Sequence, residues 1–145
     1  MKIYQLSVFL ENRPGALVEP IRLLAAAEIN LDVIVLVDST EFGILRLIIR
    51  DWRCALDLLQ SAGCAVNVVE LVAVGAVDEP GGLARVLEAI EPAGVNVEYM
   101  FGFGRAQGGA AALMLRFDDP DRALAALANA QIDILSIDDL LPQED

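Results

Sequence analysis

A regular alternation of apolar and polar residues opens the chain and predicts a β-strand from Ile3 to Leu10. Beyond this strand, apolar residues recur at three- and four-residue spacing, which predicts an amphipathic helix. The residues on its buried face are Leu17, Ile21 and Leu24. We expect the helix to begin near Pro14 with Asn12 as its cap, and we expect Pro20 to kink it or delay its start.

The remainder of the first half alternates between the two kinds of pattern. Apolar and β-branched runs predict strands at 31–37, 44–49 and 65–69. Between the last two strands, residues 52–62 have the spacing of a second helix, and Gly63 supplies its stop. The predicted order of elements is therefore strand, helix, strand, strand, helix, strand.

The second half of the chain repeats the first at a shift of about 66 residues, as internal repeats do. Matched pairs include Pro14 with Pro80, Gly15 with Gly81 and Asn30 with Asn96. The elements predicted for this half are strands at 71–77, 95–103, 110–117 and 132–137, helices at 80–91 and 120–130, and a glycine-rich loop at 104–109. Two copies of one βαββαβ unit follow from this order.

That order predicts an α+β protein made of two tandem ferredoxin-like units, each an antiparallel sheet with two helices on one face. We place the first domain at 1–69, the second at 70–138 and an acidic C-terminal tail at 139–145. Ile44 and Ile48 alternate with Leu45 and Leu47, so the strands are apolar on both faces. We therefore expect the other copy or another subunit to cover the second face, and at least a homodimer.

Composition excludes several classes of partner and cofactor. With 10 basic and 22 acidic residues the formal net charge is −12, so phosphate backbones and anionic membrane surfaces repel the chain. No stretch reaches the roughly 20 apolar residues of a membrane span, and the N-terminus lacks a signal-peptide pattern, so we expect a cytoplasmic protein. There is no histidine, and Cys54 and Cys64 have no ligand partners nearby, so neither a metal nor another cofactor is expected.

A reaction centre is not visible in the sequence. A nucleophile elbow and a Gly-Lys-Ser phosphate loop are both missing. An acylphosphatase would share the fold, but Asn12 and Arg13 only weakly resemble its phosphate-binding loop. We therefore expect a non-catalytic protein, with a small acylphosphatase-like enzyme as the less favoured alternative.

The segment Glu11 to Leu17 stands where the first strand hands over to the first helix, and it is the most informative stretch for binding. Gly15 lets a ligand approach the backbone, and the N–H groups of the helix start suit a carboxylate. The amide of Asn12 offers both donors and an acceptor, and Asn30 opens the next strand. A purely structural alternative remains, in which Asn12 caps the helix and Asn30 forms a turn.

The string Asn-Arg-Pro-Gly-Ala-Leu after an alternating strand, followed by Ile-Asn, resembles the ACT domain. It is most similar to the serine-sensing regulatory domain of bacterial phosphoglycerate dehydrogenases, in which two asparagines at these positions hold the effector across a subunit interface. The resemblance implies a small amino acid as ligand. The site it implies comprises Asn12, Arg13, Pro14, Gly15, Ala16, Leu17 and Asn30.

The second copy carries the Asp-x-Pro-Gly form of the same motif and implies a second candidate site. Its members are Asp78, Pro80, Gly81, Gly82, Leu83 and Asn96. Asp78 replaces the first asparagine, and a carboxylate there can hold an ammonium but repels a carboxylate. Two hypotheses stay open: an amino-acid sensor that signals through assembly or partner contact, and a ligand-free module whose ACT units only drive assembly.

Overall fold

The computed structural model describes residues 1–38, 42–105 and 110–141. Its first half contains β1 (Ile3–Glu11), α1 (Val18–Ala26), β2 (Val33–Asp38), β3 (Phe42–Ile48), α2 (Trp52–Ser61) and β4 (Ala65–Ala76). Its second half contains α3 (Gly82–Ile90), β5 (Val97–Arg105), β6 (Ala111–Phe117), α4 (Pro120–Asn129), β7 (Asp133–Leu135) and α5 (Ile137–Leu140), with a 3-10 turn at Glu91–Ala93. The chain divides into two compact units, Tyr4–Val69 and Met1–Ile3 with Glu70–Asp145.

The first unit has the strand order β2-β3-β1-β4. Strand β3 pairs antiparallel with both β1 and β2. The β1–β3 register runs from Gln5 opposite Ile48 to Glu11 opposite Phe42, and the β2–β3 register covers Val33 to Asp38 of β2. The helices cover one face of this sheet. The buried core between them consists of Leu6, Val8, Leu24, Leu45, Leu47, Ile49, Ala55 and Leu59.

The second unit has the order β5-β6-β4-β7, with every pair antiparallel. Its core consists of Val72, Val74, Ala76, Val86, Ile90, Leu115, Phe117, Ala123 and Leu127. The chain start is tied to this unit, because the Lys2 Nζ lies 2.9 Å from a Glu70 carboxylate oxygen and 3.0 Å from one of Asp121. These hydrogen bonds to two carboxylates raise the pKa of Lys2.

The element boundaries agree with the predictions at some points and differ at others. The strands predicted at 65–69 and 71–77, which follow one another without a linker at Glu70, form one continuous strand, β4. Helix α1 begins at Val18 rather than near Pro14, which leaves Pro20 in its first turn, where a missing N–H costs no hydrogen bond. The predicted turn residues 39–41 and loop residues 106–109 lie outside the described residues.

The predicted acidic tail at 139–145 begins inside α5. The Ser136 hydroxyl accepts a hydrogen bond from the Asp139 N–H, and the Asp139 carboxylate accepts one from the Ser136 N–H, so a capping box starts this helix. Leu140 and Leu141 are buried. Apolar burial and the cap together order this end of the chain, so the tail prediction started too early.

The prediction of two uniformly apolar faces was also too simple. In the first unit, the face of β1 that points away from the helices carries Gln5 and Ser7, both buried, and then Phe9, which is 42% exposed. Phe42, on the same face of β3, is 53% exposed. Buried polar side chains therefore interrupt that face, and its exposed phenylalanines lie at the end where β1 finishes.

Candidate ligand site after the first strand

The turn after β1 is held by two backbone hydrogen bonds. The Arg13 N–H donates to the Glu11 carbonyl at 3.0 Å, and the Ala16 N–H donates to the Arg13 carbonyl at 3.3 Å. Gly15 has φ +88°, in the left-handed region that only glycine adopts without strain. The Pro-Gly pair thus makes a tight turn that delays the helix and leaves residues 12–17 as a rim at the end of the sheet.

Asn12 does not cap the helix. The N-cap of α1 is Leu17, which has no side-chain capping bond. Asn12 is exposed, and its side chain has no hydrogen-bond partner within the described part of the chain. The predicted capping role was therefore wrong, because the late helix start places Asn12 too far upstream, and its amide faces solvent with its donors and acceptor unused.

A pocket of about 230 Å³ opens beside this rim, wholly within the first unit. Its lining residues are Leu10, Glu11, Asn12, Arg13, Leu17, Leu36, Val37 and Gly43. The sheet contributes the apolar floor, and the rim contributes the charged and amide groups. One end of the pocket is therefore polar and the other is aliphatic.

Opposite charges stand next to each other at the polar end. The Arg13 Nε lies 2.8 Å from a Glu11 carboxylate oxygen, and both side chains are at least half exposed. An exposed pair of this kind contributes about 0–1 kcal/mol, because water competes with it. The pair is therefore easily opened. The carboxylate of a ligand can replace Glu11 beside Arg13, and the ammonium of the same ligand can replace Arg13 beside Glu11.

Only some of the N–H groups expected to meet a carboxylate are available. The Ala16 N–H is already used by the Arg13 carbonyl, so it does not point to a ligand. The N–H groups of Gly15 and Leu17 have no backbone partner among the described residues. The turn that Pro14 and Gly15 create therefore removes one of the donors that a regular helix start would have offered.

Asn30 is not brought to this pocket within one chain. Strands β1 and β2 both run antiparallel to β3, so they run parallel to each other. Asn12 follows the end of β1, whereas Asn30 precedes the start of β2. The two asparagines therefore lie at opposite ends of the sheet, and they do not share a site within one chain.

The sequence pattern did not identify the floor of the pocket. Leu10 and Gly43 lie opposite each other on β1 and β3, and Leu36 lies on β2. These residues are brought together by strand register, which joins positions more than thirty residues apart in the chain. The glycine inside a strand was the one local signal, because such a residue often marks a close approach.

The equivalent turn of the second unit has the same hydrogen bonds and a tighter fold. The Glu79 N–H donates to the Val77 carbonyl at 2.9 Å, and the Gly82 N–H donates to the Glu79 carbonyl at 3.1 Å. Gly81 has φ +91°. A Cβ on Gly82 would lie 2.0 Å from the Val77 carbonyl oxygen, so only glycine fits there. Helix α3 starts at this residue, directly after Gly81.

Asn96 is separated from the turn in the second unit as Asn30 is in the first. Its N–H donates to an Asp118 carboxylate oxygen at 2.9 Å, and the Asp118 N–H donates to the Asn96 carbonyl at 3.1 Å. These bonds fix Asn96 to the end of β6. The second candidate site is therefore not assembled within one chain either. Asp78 and Pro80 are exposed in the turn, and Leu83 is exposed at the start of α3.

Comparison with known proteins identifies the repeated unit. The family model for the ACT domain pair matches residues 1–142. The chain belongs to this family. The ACT pair is also similar to protein BT0572 from Bacteroides thetaiotaomicron, with 35% identity, a TM-score of 0.86, and coverage of 99% of this chain and 98% of that one. A search of curated protein sequences gives no match.

More distant structures share the fold of the ACT pair. The regulatory subunit of aspartate kinase from Thermus thermophilus, in its ligand-free form, is 17% identical with a TM-score of 0.61, and 90% of this chain and 93% of that chain are covered. Aspartate kinase from Synechocystis is 18% identical with a TM-score of 0.60, and the match covers 98% of this chain and 27% of that enzyme. The predicted tandem ferredoxin-like fold is thus confirmed.

Two further features of the ACT pair bear on what it binds. Within the described residues, no cluster of three or more histidine, cysteine or acidic side chains is placed to hold a metal ion. In the same part of the chain, no helix has the length and apolar character needed to cross a membrane.

Proposed function

We propose that this ACT pair is a regulatory protein that binds a small amino acid in the pocket after β1. The observation that supports the proposal is the lining of that pocket, in which Glu11, Asn12 and Arg13 stand beside an aliphatic floor. An α-amino acid has the same division, with opposite charges at one end and a side chain at the other. The pocket is therefore complementary to α-amino acids as a class.

The polar groups assign the ends of the ligand. The Arg13 guanidinium suits the α-carboxylate, and the Glu11 carboxylate suits the α-ammonium. The ion pair between them must open, at the small cost expected of an exposed pair. Asn12 can meet either group, because its amide carries both donors and an acceptor. The free N–H groups of Gly15 and Leu17 add donors on the carboxylate side.

A second copy of the chain would complete the site. Strand β2 is the outer strand of the first unit's sheet, and Ile34 and Leu36 on it are each 55% exposed. Antiparallel pairing of two β2 edges brings the start of one strand beside the end of the other. Asn30 of the partner subunit would then lie near Asn12, as the resemblance to serine-sensing domains implies. We propose a homodimer of this kind.

The proposed role is binding without catalysis. The lining contains no hydroxyl, thiol or imidazole among its described residues, so the usual nucleophiles and the usual general base are missing. A ligand held between two copies would instead shift the balance between assembled and separate states. Such a shift requires different affinities for the two states, and a site shared by two subunits provides them.

Isothermal titration calorimetry with serine, glycine, alanine, valine, leucine and isoleucine tests the proposal. We expect at least one ligand to bind with a Kd of roughly 1 μM to 1 mM. Asn12→Ala should weaken its binding by about 10- to 150-fold, the effect of losing one hydrogen bond to a charged group. Asp78→Ala, at the equivalent position of the second unit, is the matched control and should retain the affinity of the unmodified protein.

The alternative is a ligand-free assembly module, and the exposed β2 edge is the observation that favours it. Calorimetry separates the two. If none of the amino acids binds, the assembly module takes the place of the sensor. If Asn12→Ala binds as tightly as the unmodified protein, the assignment of the site is wrong.

A further inference from the structure

We propose that the pocket selects an aliphatic side chain of the size of valine, leucine or isoleucine, and that Gly43 sets this limit. The inference rests on the proposed function, because it names the ligand class for the same pocket. It departs from the serine preference that the motif resemblance implies. The floor of the pocket, rather than its rim, carries the argument.

The floor is aliphatic on every side. Leu10, Leu17 and Leu36 line it together with Gly43, and none of these side chains offers a hydrogen bond. Leu17 is 41% exposed and Leu36 is 55% exposed, which leaves large apolar surfaces in contact with water. An aliphatic ligand side chain would cover both surfaces. A hydroxyl or a charged group at the same place would lose its water without gaining a partner.

The lining favours a side chain that is long enough to reach it. The pocket measures about 230 Å³ and is bounded by Leu10, Leu17 and Leu36. A branched aliphatic side chain can contact these leucines. Glycine, alanine and serine would leave part of the pocket unfilled, and the contacts with the three leucines would not form.

Gly43 keeps the floor open. It lies opposite Leu10 in the β1–β3 register, on the face of the sheet that the helices cover. Its φ is outside the left-handed region, so the backbone there does not require glycine. A Cβ at this position would lie 3.7 Å from Leu36 Cδ1 and 3.9 Å from the Val37 carbonyl oxygen, which is ordinary contact. The absence of a side chain at Gly43 therefore leaves room in the pocket.

Geometry then fixes the direction in which the ligand lies. The charged and amide groups of residues 11–13 follow the end of β1, and the leucines lie on the sheet and on the start of α1. The α-carbon end of an amino acid belongs at the rim, and its side chain extends over Gly43. A methyl group added to Gly43 would occupy the space of the ligand's own branch.

Calorimetry with Gly43→Ala tests this directly. In the unmodified protein we expect leucine, isoleucine or valine to bind at least about 10- to 200-fold more tightly than alanine or serine, since a single methylene in an apolar pocket already contributes roughly this factor. Gly43→Ala should reduce the affinity for leucine by about tenfold or more and change the affinity for alanine by less than about twofold. Gly43→Val should abolish leucine binding.

Gly102→Ala is the matched control, because it adds the same methyl to a strand glycine with open space around it in the second unit. It should leave every affinity unchanged. Thermal denaturation should give Gly43→Ala the melting temperature of the unmodified protein, which separates pocket filling from misfolding. The aliphatic pocket is wrong if serine binds more tightly than leucine, or if Gly43→Ala binds leucine as tightly as the unmodified protein. Either result leaves the proposal of an amino-acid sensor in place. Binding of no amino acid overturns the sensor itself.

Discussion

The turns that follow the first strand of each ACT unit share one hydrogen-bonding pattern and differ in what surrounds it. In the first unit Ala16 fits inside the turn, and helix α1 begins only at Val18. In the second unit the corresponding Gly82 is pressed against the Val77 carbonyl, and the helix starts at once. The first turn thus leaves an open rim beside a pocket, whereas the second is closed on itself. The same motif is therefore open in the first copy and packed in the second.

The outer strands of the two units also differ, and again the first unit has the more open one. Strand β2 pairs with β3 in unbroken register from Val33 to Asp38, and its exposed side chains are aliphatic. Strand β5 shifts register twice against β6, between Val97 and Tyr99 and between Gly102 and Arg105. Irregular edges resist pairing with another strand, and smooth apolar edges invite it. The open turn and the open edge therefore belong to the same unit.

The largest expected effect tests whether the two units are separate domains. Leu59 and Leu127 occupy equivalent, fully buried positions in α2 and α4. Replacement by alanine should cost about 2–5 kcal/mol in either unit. Trp52 is the single tryptophan and lies in the first unit, so its fluorescence follows that unit alone, whereas circular dichroism follows both.

In urea denaturation, Leu59→Ala should move the fluorescence midpoint to lower urea concentration. Leu127→Ala should move the dichroism transition and leave the fluorescence midpoint in place. If Leu127→Ala shifts the fluorescence midpoint as far as Leu59→Ala does, the two halves unfold as one cooperative body. The predicted division at 1–69 and 70–138 would then be wrong.

A second, somewhat smaller effect concerns the closed turn. Gly82→Ala would place a Cβ against the Val77 carbonyl and force the turn to open, at a cost of about 1–3 kcal/mol. Ala16→Gly in the first unit removes one buried methyl and should cost only about 0.8 kcal/mol. Thermal denaturation of both variants measures the difference. Equal melting temperatures would show that the two turns are equally tolerant and would remove the contrast between them.

The sequence predicted the parts of this contrast that depend on neighbouring residues. The match of Gly15 with Gly81 in the repeat was recognised, and both glycines have positive φ. The role of Gly43 was not recognised, because its position beside Leu10 depends on a strand register that no local pattern encodes. The separation of Asn12 and Asn30 within one chain was not recognised either, because it depends on the parallel course of β1 and β2.

The helix α5 was missed for a different reason. Its Ser-x-x-Asp capping motif is local and visible, but the acidic composition of the segment favoured an exposed tail. Helix starts were misplaced by two to four residues where a Pro-Gly turn precedes them, because the proline position marked the turn and not the first helical residue. Most of the features that the sequence did not predict therefore depend on long-range strand register or on turn geometry.

The difference between the two edges predicts which strand joins two copies. Ile34→Lys places a charge on the smooth edge of β2 and should convert a dimer to a monomer in light scattering at micromolar concentration. Gly102→Lys places the same charge on β5, where the space around the residue is open, and should leave the dimer intact. A dimer that survives Ile34→Lys and dissociates in Gly102→Lys would reverse the assignment of the edges.

The smallest expected effect concerns the capping box of α5, which closes the second unit. The N–H and hydroxyl of Ser136 hydrogen-bond to the Asp139 carboxylate and lower its pKa. A lowered folded-state pKa stabilises the fold above the ordinary carboxyl value of about 3.9, and this contribution is lost as the pH falls through the folded-state pKa. Asp139→Asn should therefore lower the melting temperature slightly at neutral pH, and the difference should disappear at low pH. Asp57→Asn, an exposed carboxylate on α2, is the control and should change little at either pH. A deficit in Asp139→Asn that persists or grows on acidification would show that the cap does not depend on the charged carboxylate.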